Sequence, residues 1–571
     1  MATVAEKLVE MLVQAGVKRI YGVVGDSLNS TVDAVRRTKG IEWVAVRHEE
    51  AGAFAAGAEA QLSGNLAVCA GSCGPGNVHL QNGLYDSHRS YAPVLAIAAH
   101  IPSSQIGTSY FQETHPERIF ADCSHFCETI SSAAQMPRTA QNAIQTALNK
   151  RGVSVLVIPG DVALQKVSSD FPPHELRNAR SVVRPAESDL NELAELLNSS
   201  SKTTFLCGAG CEGAHEEVLT LADTLQAPIV HSLRGKQHVE WGNPYDVGMT
   251  GLIGFASGYR AMESADVVLM LGTDLPYDSF YPKKAKIAQI DVRGENLGRR
   301  ARLDLGLVGQ VRETVRALLP RIDKKKKSAH LEDSLHHYAE IREKMDQHLK
   351  SLSSDTGIHP QYLASAWSEL ADDDAVFTAD TGMCTVWAAR YLRMKKGRSL
   401  IGSFNHGSMA NALPQAIGAQ TLSPDRQVVS FSGDGGLGML MGDLLSLVQH
   451  DLPVKVVVFN NSTLGMVKLE MQVAGIPDFG TDFKNFNFAK IAEGAGIRSF
   501  RVERSHEVRD AIQAALKHKG PALLDVVTNP YELSMPPAIV TEQAWGFSLF
   551  MMKEVLLGNV KEVFEELKTA V

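Results

Sequence analysis

The sequence predicts an α/β protein with three doubly wound, parallel-sheet domains, followed by an amphipathic helical tail. Length is the first reason, because 571 residues exceed what one hydrophobic core usually serves. The second reason is a repeated pattern, in which short β-branched runs end in Gly, Asn or Asp and lead into helical patterns. Such alternation is typical of parallel sheets that are covered by helices on both faces.

The predicted strands divide the chain into domains. The first domain covers residues 1–180, with strands expected at 19–26, 43–48, 66–71, 93–99 and 154–161. The second covers residues 181–335, with strands expected at 203–210, 227–233, 266–274 and 286–292. The third covers residues 336–530, with strands expected at 375–382, 427–435, 453–461 and 521–529. A Pro-rich, charged stretch at 171–188 predicts a linker, and residues 531–571 form the tail.

Composition limits the classes of function. The formal net charge of −8 argues against a nucleic-acid partner, since phosphate binding needs a basic surface. No stretch approaches the roughly 18 consecutive apolar residues of a membrane span. The N-terminus has no basic segment followed by an apolar one, so no signal peptide is expected. The sequence therefore predicts a cytoplasmic protein.

The tail carries apolar residues at helical spacing along one stripe. They are Leu549, Phe550, Leu556, Leu557, Val560, Val563, Phe564 and Leu567. Charged residues lie between them. Two interpretations stay open: a helix that docks on its own domain, or a releasable helix that binds lipid mainly through apolar burial.

A magnesium and diphosphate site is predicted in the third domain. Asp434 follows one expected buried strand, a helix is expected from about Leu437 to Gln449, and Asn461 ends the next strand. A right-handed crossover brings the carboxyl ends of two such strands to one edge of the sheet, where α/β proteins bind ligands. Carboxylate and amide oxygens suit Mg²⁺, and the glycines at 433, 435 and 436 let the backbone approach a diphosphate closely. The alternative is a strand–turn–helix with a capping Asp.

A proton-handling carboxylate is predicted in the first domain. The expected strand at 43–48 ends at His48, and Glu49 and Glu50 begin an Ala-rich helical pattern. A carboxylate in that position can carry a proton for a bound ring. The alternative is an acidic helix start that the helix dipole favours.

These motifs resemble those of thiamine-diphosphate-dependent enzymes, whose GDG…NN element matches residues 433–435 and 460–461. Nearly the whole chain is similar to the pyruvate oxidase family, and most similar to its quinone-linked bacterial branch, pyruvate dehydrogenase (quinone). The stretches that carry this resemblance are 41–64, 69–86, 94–116, 243–258 and 402–420.

The resemblance implies roles for single residues around thiamine diphosphate. Glu49, rather than Glu50, is the catalytic glutamate. The Mg²⁺ ligands are Asp434, Asn461 and the backbone carbonyl of Thr463. The expected contacts of thiamine diphosphate are Glu49, Gly407, Ser408, Met409, Asp434, Gly435, Gly436, Asn461, Ser462, Thr463, Leu464, Gly465 and Met466.

Phe111 and Gln112 match the pattern near the thiazolium and are expected to act in catalysis. Met409 is the best candidate for the aliphatic wedge that bends the cofactor. Met466 is also expected to act in catalysis, because it stands where near relatives have an aromatic residue that moves into the site on activation; the methionine leaves the mechanism of that activation open. The expected FAD contacts are Gly251, Leu252, Ile253, Gly254, Thr273, Asp274, Leu275, Pro276, Tyr277 and Asp291.

The implied activity is oxidative decarboxylation of pyruvate to acetate and CO₂ through a thiamine-diphosphate enamine, with electrons passing through FAD to a membrane quinone. The implied domains bind the pyrimidine of thiamine diphosphate (1–180), FAD (181–335) and the Mg²⁺–diphosphate (336–530), and the tail (531–571) binds membrane lipid. The implied assembly is a homotetramer at the inner face of the cell membrane. Three alternatives stay open: an acetolactate synthase-like carboligase, a phosphate-dependent pyruvate oxidase that uses oxygen, and a catalytically silent scaffold.

Overall fold

The computed structural model of the chain describes residues 1–167, 181–347, 349, 357–484 and 486–532. These residues form three parallel, six-stranded sheets with helices on both faces, which confirms the predicted fold class. Most of the predicted linker at 171–188 and residues 533–571 of the predicted tail lie outside the described residues.

The N-terminal domain has the strand order β2-β1-β3-β4-β6-β5. Its strands are β1 Arg19–Gly22, β2 Glu42–Ala45, β3 Ala67–Gly71, β4 Val94–His100, β5 Phe126–Thr129 and β6 Val153–Pro159. Its helices are α1 Val4–Gln14, α2 Asn29–Arg37, α3 Glu49–Ser63, α4 Pro75–Arg89, α5 Pro116–Ile119, α6 Met136–Lys150 and α7 Gly160–Ala163. Every residue of β4 and β6 is buried, as expected for central strands that are covered on both faces.

The middle domain has a different order, β9-β8-β7-β10-β11-β12. Its strands are β7 Thr203–Cys207, β8 Ile229–His231, β9 Asp246–Met249, β10 Val267–Leu271, β11 Lys286–Asp291 and β12 Leu305–Val308. Its helices are α8 Glu187–Ser199, α9 His215–Leu225, α10 Lys236–Val239, α11 Ala256–Glu263 and α12 Val311–Leu318. This 3-2-1-4-5-6 arrangement reverses direction between β7 and β10, and such a reversal opens a ligand crevice at the carboxyl ends of the two strands.

Helix α13 Ala329–Gln347 leads to the C-terminal domain, so the predicted boundary at 335/336 falls inside a helix. The C-terminal strands are β13 Val376–Ala379, β14 Ser399–Gly402, β15 Val428–Gly433, β16 Lys455–Asn460, β17 Arg498–Val502 and β18 Ala522–Val527. The helices are α14 Pro360–Leu370, α15 Met383–Tyr391, α16 Ala412–Leu422, α17 Asp434–Leu440, α18 Leu444–Gln449, α19 Gly465–Val473, α20 Phe488–Gly494 and α21 Val508–Lys517. The order β14-β13-β15-β16-β18-β17 repeats that of the N-terminal domain.

The N- and C-terminal domains pack together through α3 and α16, and share one apolar core. The packing is close because small residues meet: a side chain at Gly418 would collide with the backbone of Ala55. At the end of the contact, the Tyr21 hydroxyl lies 2.5 Å from both Glu59 Oε2 and Thr421 Oγ1. The buried Tyr21 hydroxyl is therefore hydrogen-bonded to side chains of both domains.

Five strands that the sequence did not predict, β5, β9, β12, β14 and β17, all lie at sheet edges. They have four or five residues each, and β5, β12 and β17 are only partly buried, so they lack a continuous apolar run. The helix expected at 437–449 begins earlier, at Asp434, and a turn of 3₁₀ helix at Met441–Asp443 separates α17 from α18. No helix in the described ranges has the length and hydropathy needed to cross a bilayer.

Candidate active site

Asp434 and Asn461 follow neighbouring parallel strands, as predicted. Strands β15 and β16 pair with Gly433 opposite Phe459, so the two side chains begin at the same edge of the sheet. Asp434 Oδ2 accepts a hydrogen bond from the Ser462 backbone amide at 2.6 Å, and its Oδ1 accepts one from the Gly435 amide at 2.8 Å. Asp434 is thus fixed against the segment that carries Asn461.

Burial raises the pKa of Asp434 to about 6, against the hydrogen bonds from the backbone amides around it, which lower it. A carboxylate that is buried in this way favours a cation beside it. The Thr463 hydroxyl is buried and has no hydrogen-bond partner among the described residues, and the same is true of Thr481. The Thr481 carbonyl accepts the Leu464 amide at 2.9 Å, so both hydroxyls belong to one local structure.

Oxygen ligands, a buried carboxylate and orphaned hydroxyls are the donor set that Mg²⁺ and a diphosphate need. The residues present therefore fit the group. Ser462 has a left-handed backbone, with φ of 60°, which turns the chain sharply between Asn461 and Thr463.

Gly436 leaves no room for a side chain. Any side chain here would collide with the carboxylate of Asp380, which follows the neighbouring strand β13. Asp380 is buried, and burial raises its pKa to about 7. The Asn411 and Thr381 amides donate hydrogen bonds to its Oδ1 at 3.2 and 3.1 Å. Asp380 thus lines the crevice between β13 and β15, where the strand order reverses, and the sequence analysis missed it because an Asp at a strand end is common.

Glu49 begins α3, and only 8% of its surface is exposed. Its Oε2 lies 3.0 Å from Nδ1 of His79 on α4, and its Oε1 faces Gly76, where a Cβ atom would lie 3.0 Å away. His48 caps the helix by accepting the Glu50 amide at 3.2 Å. The carboxylate is therefore buried against a neighbouring helix with one imidazole partner.

His79 was not predicted as a site residue. It lies 30 residues after Glu49, on another helix, and its ring stacks on His48 with centroids 4.3 Å apart. A single His in an amphipathic helix carries no local signal of such a contact. Only the packing of α3 against α4 brings the two side chains together.

Gln112 lies over the N-terminus of α4, with a left-handed φ of 63°. Its Oε1 accepts a hydrogen bond from the Cys73 thiol at 3.3 Å, and its backbone leaves no room for a side chain at Gly74. Phe111, by contrast, is 78% exposed within the chain. The structure thus places Gln112 near Glu49, around the start of α4, and leaves Phe111 at the surface.

The predicted pyrimidine segment, Gly407 to Met409, lies beside α4. Asn82 Nδ2 donates to Ser408 Oγ at 2.8 Å and to Glu50 Oε1 at 2.7 Å. Ser408 Oγ in turn donates to the Met409 carbonyl at 2.8 Å. No contact tests Met409 as a wedge, and that role stays a prediction.

The two glycine-rich segments of the middle domain that were assigned to FAD converge. A Cβ atom at Gly251, whose φ is 101°, would lie 3.6 Å from Leu275 and 3.8 Å from Tyr277. Asp274 forms ion pairs with Arg299 and Arg300, each at 3.0 Å. The remaining predicted FAD residues, Leu252, Ile253, Gly254, Thr273, Pro276 and Asp291, lie in the same loops or at the end of β11.

Two buried polar atoms near these loops lack a partner in the described part of the chain: the Thr250 hydroxyl and Asn296 Oδ1. Asp291, at the carboxyl end of β11, is buried, and burial raises its pKa. Unpaired buried polar groups at the edge of a 3-2-1-4-5-6 sheet suit a nucleotide that brings its own hydrogen bonds. The residues present therefore fit a dinucleotide such as FAD.

One of the middle-domain loops meets the C-terminal domain, where the carbonyls of Ile253 and Gly254 accept hydrogen bonds from Arg390 of α15. Burial and, to a smaller extent, the Glu470 carboxylate of α19 raise the pKa of Tyr277 in the other loop. Ile253 and Met466 pack at the margin of one apolar cluster. The sequence analysis did not single out Glu470, since a Glu in an exposed helix carries no distinctive signal.

Glu49 and Asp434 share no hydrogen bond or ion pair in the described ranges of this single chain. The N-terminal set of Glu49, His79 and Gln112 and the C-terminal set of Asp434 and Asn461 thus lie at the edges of separate sheets.

Comparisons with known proteins agree with this division. Three family models match: the thiamine pyrophosphate enzyme N-terminal TPP binding domain over residues 2–119, the central domain over 190–318 and the C-terminal TPP binding domain over 380–526. The protein YdaP of Bacillus subtilis is 35% identical over 552 residues, 96% of each chain. A pyruvate oxidase of Lactiplantibacillus plantarum is 30% identical over 531 residues, 91% of this chain and 87% of that protein. Acetolactate synthase 1 of Nicotiana tabacum is 28% identical over 552 residues, 93% of this chain and 82% of that protein.

Proposed function

The chain belongs to the thiamine pyrophosphate enzyme family, and from that premise we propose that it oxidises pyruvate to acetate and CO₂, passing electrons through FAD to a membrane quinone. The observation that carries the proposal is that the two loops of the middle domain meet at Gly251 and Tyr277, and that the first of them is hydrogen-bonded to α15, whose first residue, Met383, lies against Gly465 directly after the predicted metal ligands. Such proximity is what a flavin that takes electrons from a thiamine site requires. The similarity to a pyruvate oxidase over 91% of the chain supports the substrate.

When bound, thiamine diphosphate would supply the carbon nucleophile for the 2-oxo acid and FAD would accept the electron pair that remains after CO₂ leaves. Asp434, Asn461 and the Thr463 carbonyl would hold Mg²⁺, and the Gly435 and Gly436 backbone would lie against the diphosphate. Gly407, Ser408 and Met409 would support the pyrimidine.

Glu49 would exchange a proton with the pyrimidine ring through its carboxylate oxygens. His79 Nδ1, 3.0 Å from Glu49 Oε2, would hold that carboxylate in place. Burial at the start of α3 excludes bulk water and keeps the proton within the site. Gln112 would orient the substrate, and its side-chain oxygen is held by the hydrogen bond from the Cys73 thiol.

Assembly and location belong to the same proposal. Because Glu49 and Asp434 lie on separate sheets and share no bond among the described residues of one chain, we propose that a second copy completes each site and that the protein is a homotetramer. The predicted lipid-binding tail lies outside the described residues, and its role at the inner face of the cell membrane rests on its amphipathic sequence alone.

The visible spectrum of the purified protein tests the proposal. A flavin spectrum that bleaches under anaerobic conditions, when pyruvate is added with thiamine diphosphate and Mg²⁺, is the expected result. A flavin that stays oxidised while pyruvate is consumed would favour an acetolactate synthase-like carboligase, which the similarity to acetolactate synthase also supports. Dependence of the oxidation on phosphate and oxygen would favour a phosphate-dependent pyruvate oxidase that uses oxygen.

A further inference from the structure

Helix α15 of the C-terminal domain contacts one of the two loops assigned to FAD. Arg390, near its end, donates from Nε to the Ile253 carbonyl at 3.1 Å and from Nη2 to the Gly254 carbonyl at 3.2 Å. We call residues 248–254, which are the last two residues of β9 and the turn that follows them, the 248–254 loop. Two donors from one guanidinium on two successive carbonyls fix both the position and the direction of this loop, a geometry that a lysine cannot reproduce.

The other end of α15 lies at the predicted metal site. A Cβ atom at Gly465 would lie 3.1 Å from the Met383 side chain and 3.1 Å from Asn461 Nδ2. Met383 is the first residue of α15, and Arg390 follows it by seven positions. At 1.5 Å per residue, the helix therefore sets a spacing of about 11 Å between the two contacts.

Arg390 is itself held from a third direction. Its carbonyl accepts a hydrogen bond from Arg342 Nη1 at 2.7 Å, and Arg342 belongs to α13, which joins the middle and C-terminal domains. Arg342 also pairs with Asp346 at 3.0 Å. The end of α15 is thus braced, and a movement of the 248–254 loop would have to break the two bonds from Arg390.

The first half of the 248–254 loop is held by the middle-domain sheet, since Gly248 and Met249 belong to β9 and the Thr250 amide donates to the His231 carbonyl at 3.0 Å. In the second half, the Gly254 amide closes a turn onto the Gly251 carbonyl at 2.9 Å, and Gly251 has a positive φ. This second half, from Gly251 to Gly254, is held from outside by the two bonds from Arg390.

We infer that Arg390 is a positioning residue that sets the distance between the flavin and thiamine sites through the rigid helix α15. The inference rests on the proposed function, because it concerns electron transfer to a flavin. Reacting groups that move apart by about 1 Å can lose on the order of 100-fold in rate, so loosening the loop has a large expected effect.

The test uses full-length Arg390→Met and Arg390→Lys, each loaded with FAD, thiamine diphosphate and Mg²⁺. Three quantities are measured: the dissociation constant of FAD by fluorescence, that of thiamine diphosphate, and the single-turnover rate of flavin reduction by pyruvate under anaerobic conditions. We expect R390M to weaken FAD binding and slow flavin reduction at least tenfold each, while thiamine diphosphate binds within twofold of wild type. R390K keeps the positive charge but cannot bond both carbonyls in the same way, so its FAD affinity and its rate of flavin reduction should lie between those of R390M and wild type.

Arg398→Met is the matched control. Arg398 is a buried arginine of the same domain whose guanidinium donates to the carbonyls of Ser368, Ala371, Asp372 and Arg393, none of which belongs to the 248–254 loop. We expect R398M to lower thermal stability more than R390M while flavin reduction stays within twofold of wild type.

Flavin binding and reduction within twofold of wild type in R390M would overturn the inference, and so would an equal loss in R398M. If R390M does not fold, R390K decides, and an unchanged rate in R390K overturns the inference. A wild-type protein that binds no FAD refutes the proposed function itself, which is a distinct outcome from a flavin enzyme that is indifferent to Arg390.

Discussion

The N- and C-terminal domains share one strand order, 2-1-3-4-6-5, yet they present different chemistry at the carboxyl edges of their sheets. After the third strand of the C-terminal domain, α17 begins at once with Asp434, and Asn461 follows the fourth strand. After the third strand of the N-terminal domain come Ser72, Cys73 and Gly74 before α4, with no carboxylate. Among the described residues of that domain, the one buried carboxylate at this edge is Glu49, after the second strand, and its partner is His79.

This difference shows that the shared strand order fixes where a ligand can bind, at the carboxyl edge of the sheet, while the residues at that edge decide which chemistry is possible there. In the C-terminal domain a buried aspartate among backbone amides fits a divalent cation. In the N-terminal domain a buried glutamate beside an imidazole fits proton exchange. The two domains therefore divide the proposed work into cofactor binding and proton handling, and the predictions below test that division.

Glu49→Gln should have the largest effect. The substitution keeps the shape of the side chain and removes its ability to carry a proton, so kcat should fall by roughly 10²- to 10⁴-fold. The dissociation constant of thiamine diphosphate with Mg²⁺ should change only a few-fold. Steady-state kinetics and cofactor titration measure both, and Glu50→Gln is the control, since Glu50 binds Asn82. If E49Q kept its turnover and lost cofactor binding, Glu49 would serve cofactor binding and not proton handling.

Asp434→Asn should show the opposite pattern. Loss of a direct ligand should weaken thiamine diphosphate binding in the presence of Mg²⁺ by about 100-fold or more, because substitutions in the outer shell of a metal already cost about 10- to 100-fold. Asp443→Asn is the matched control, a buried aspartate of the same domain that accepts the Arg47 amide at 2.9 Å. Calorimetry with and without Mg²⁺ measures the effect. Binding within threefold of wild type would exclude Asp434 as a ligand.

Gly436→Ala and Gly76→Ala compare glycines at corresponding helix starts. The new methyl group at 436 collides with the Asp380 carboxylate, whereas at 76 it lies 3.0 Å from Glu49 Oε1. We expect G436A to lower the free energy of unfolding by about 1–3 kcal/mol and G76A by about 1 kcal/mol or less. Urea denaturation of the cofactor-free protein gives both values. Equal losses of unfolding free energy in G436A and G76A would show that the N- and C-terminal domains are packed equally tightly at these two helix starts.

The smallest effect concerns pH. Burial raises the pKa of Asp434 to about 6 in the metal-free protein. Protons and Mg²⁺ compete for the carboxylate, so Mg²⁺ affinity should be constant above pH 6 and fall about tenfold for each unit below it. Titrations of Mg²⁺ between pH 5 and pH 8 measure the slope. If D434N showed the same dependence of Mg²⁺ affinity on pH, the proton that competes with Mg²⁺ would belong to a group other than Asp434.

Thirteen of the eighteen strands could be predicted from the sequence, and the five that were missed are all edge strands. A central strand such as β4 is buried on both faces and has to be apolar throughout, so its sequence is distinctive. An edge strand such as β12 has only four residues, and only one of them is buried. It forms a strand because it pairs with the neighbouring strand β11, and a local sequence pattern carries no information about that pairing.

The sequence by itself determined the fold class and the pair formed by Asp434 and Asn461. Both follow from consecutive elements, since a strand, a helix and a parallel strand put their ends at one edge of the sheet. The tertiary structure alone decided which helix faces Glu49, how the Cys73 thiol meets Gln112 and where Arg390 reaches the 248–254 loop. These contacts join elements that pack side by side but lie 30 or more positions apart. Their geometry depends on the crossing of helices and the register of sheets, which local periodicity does not specify.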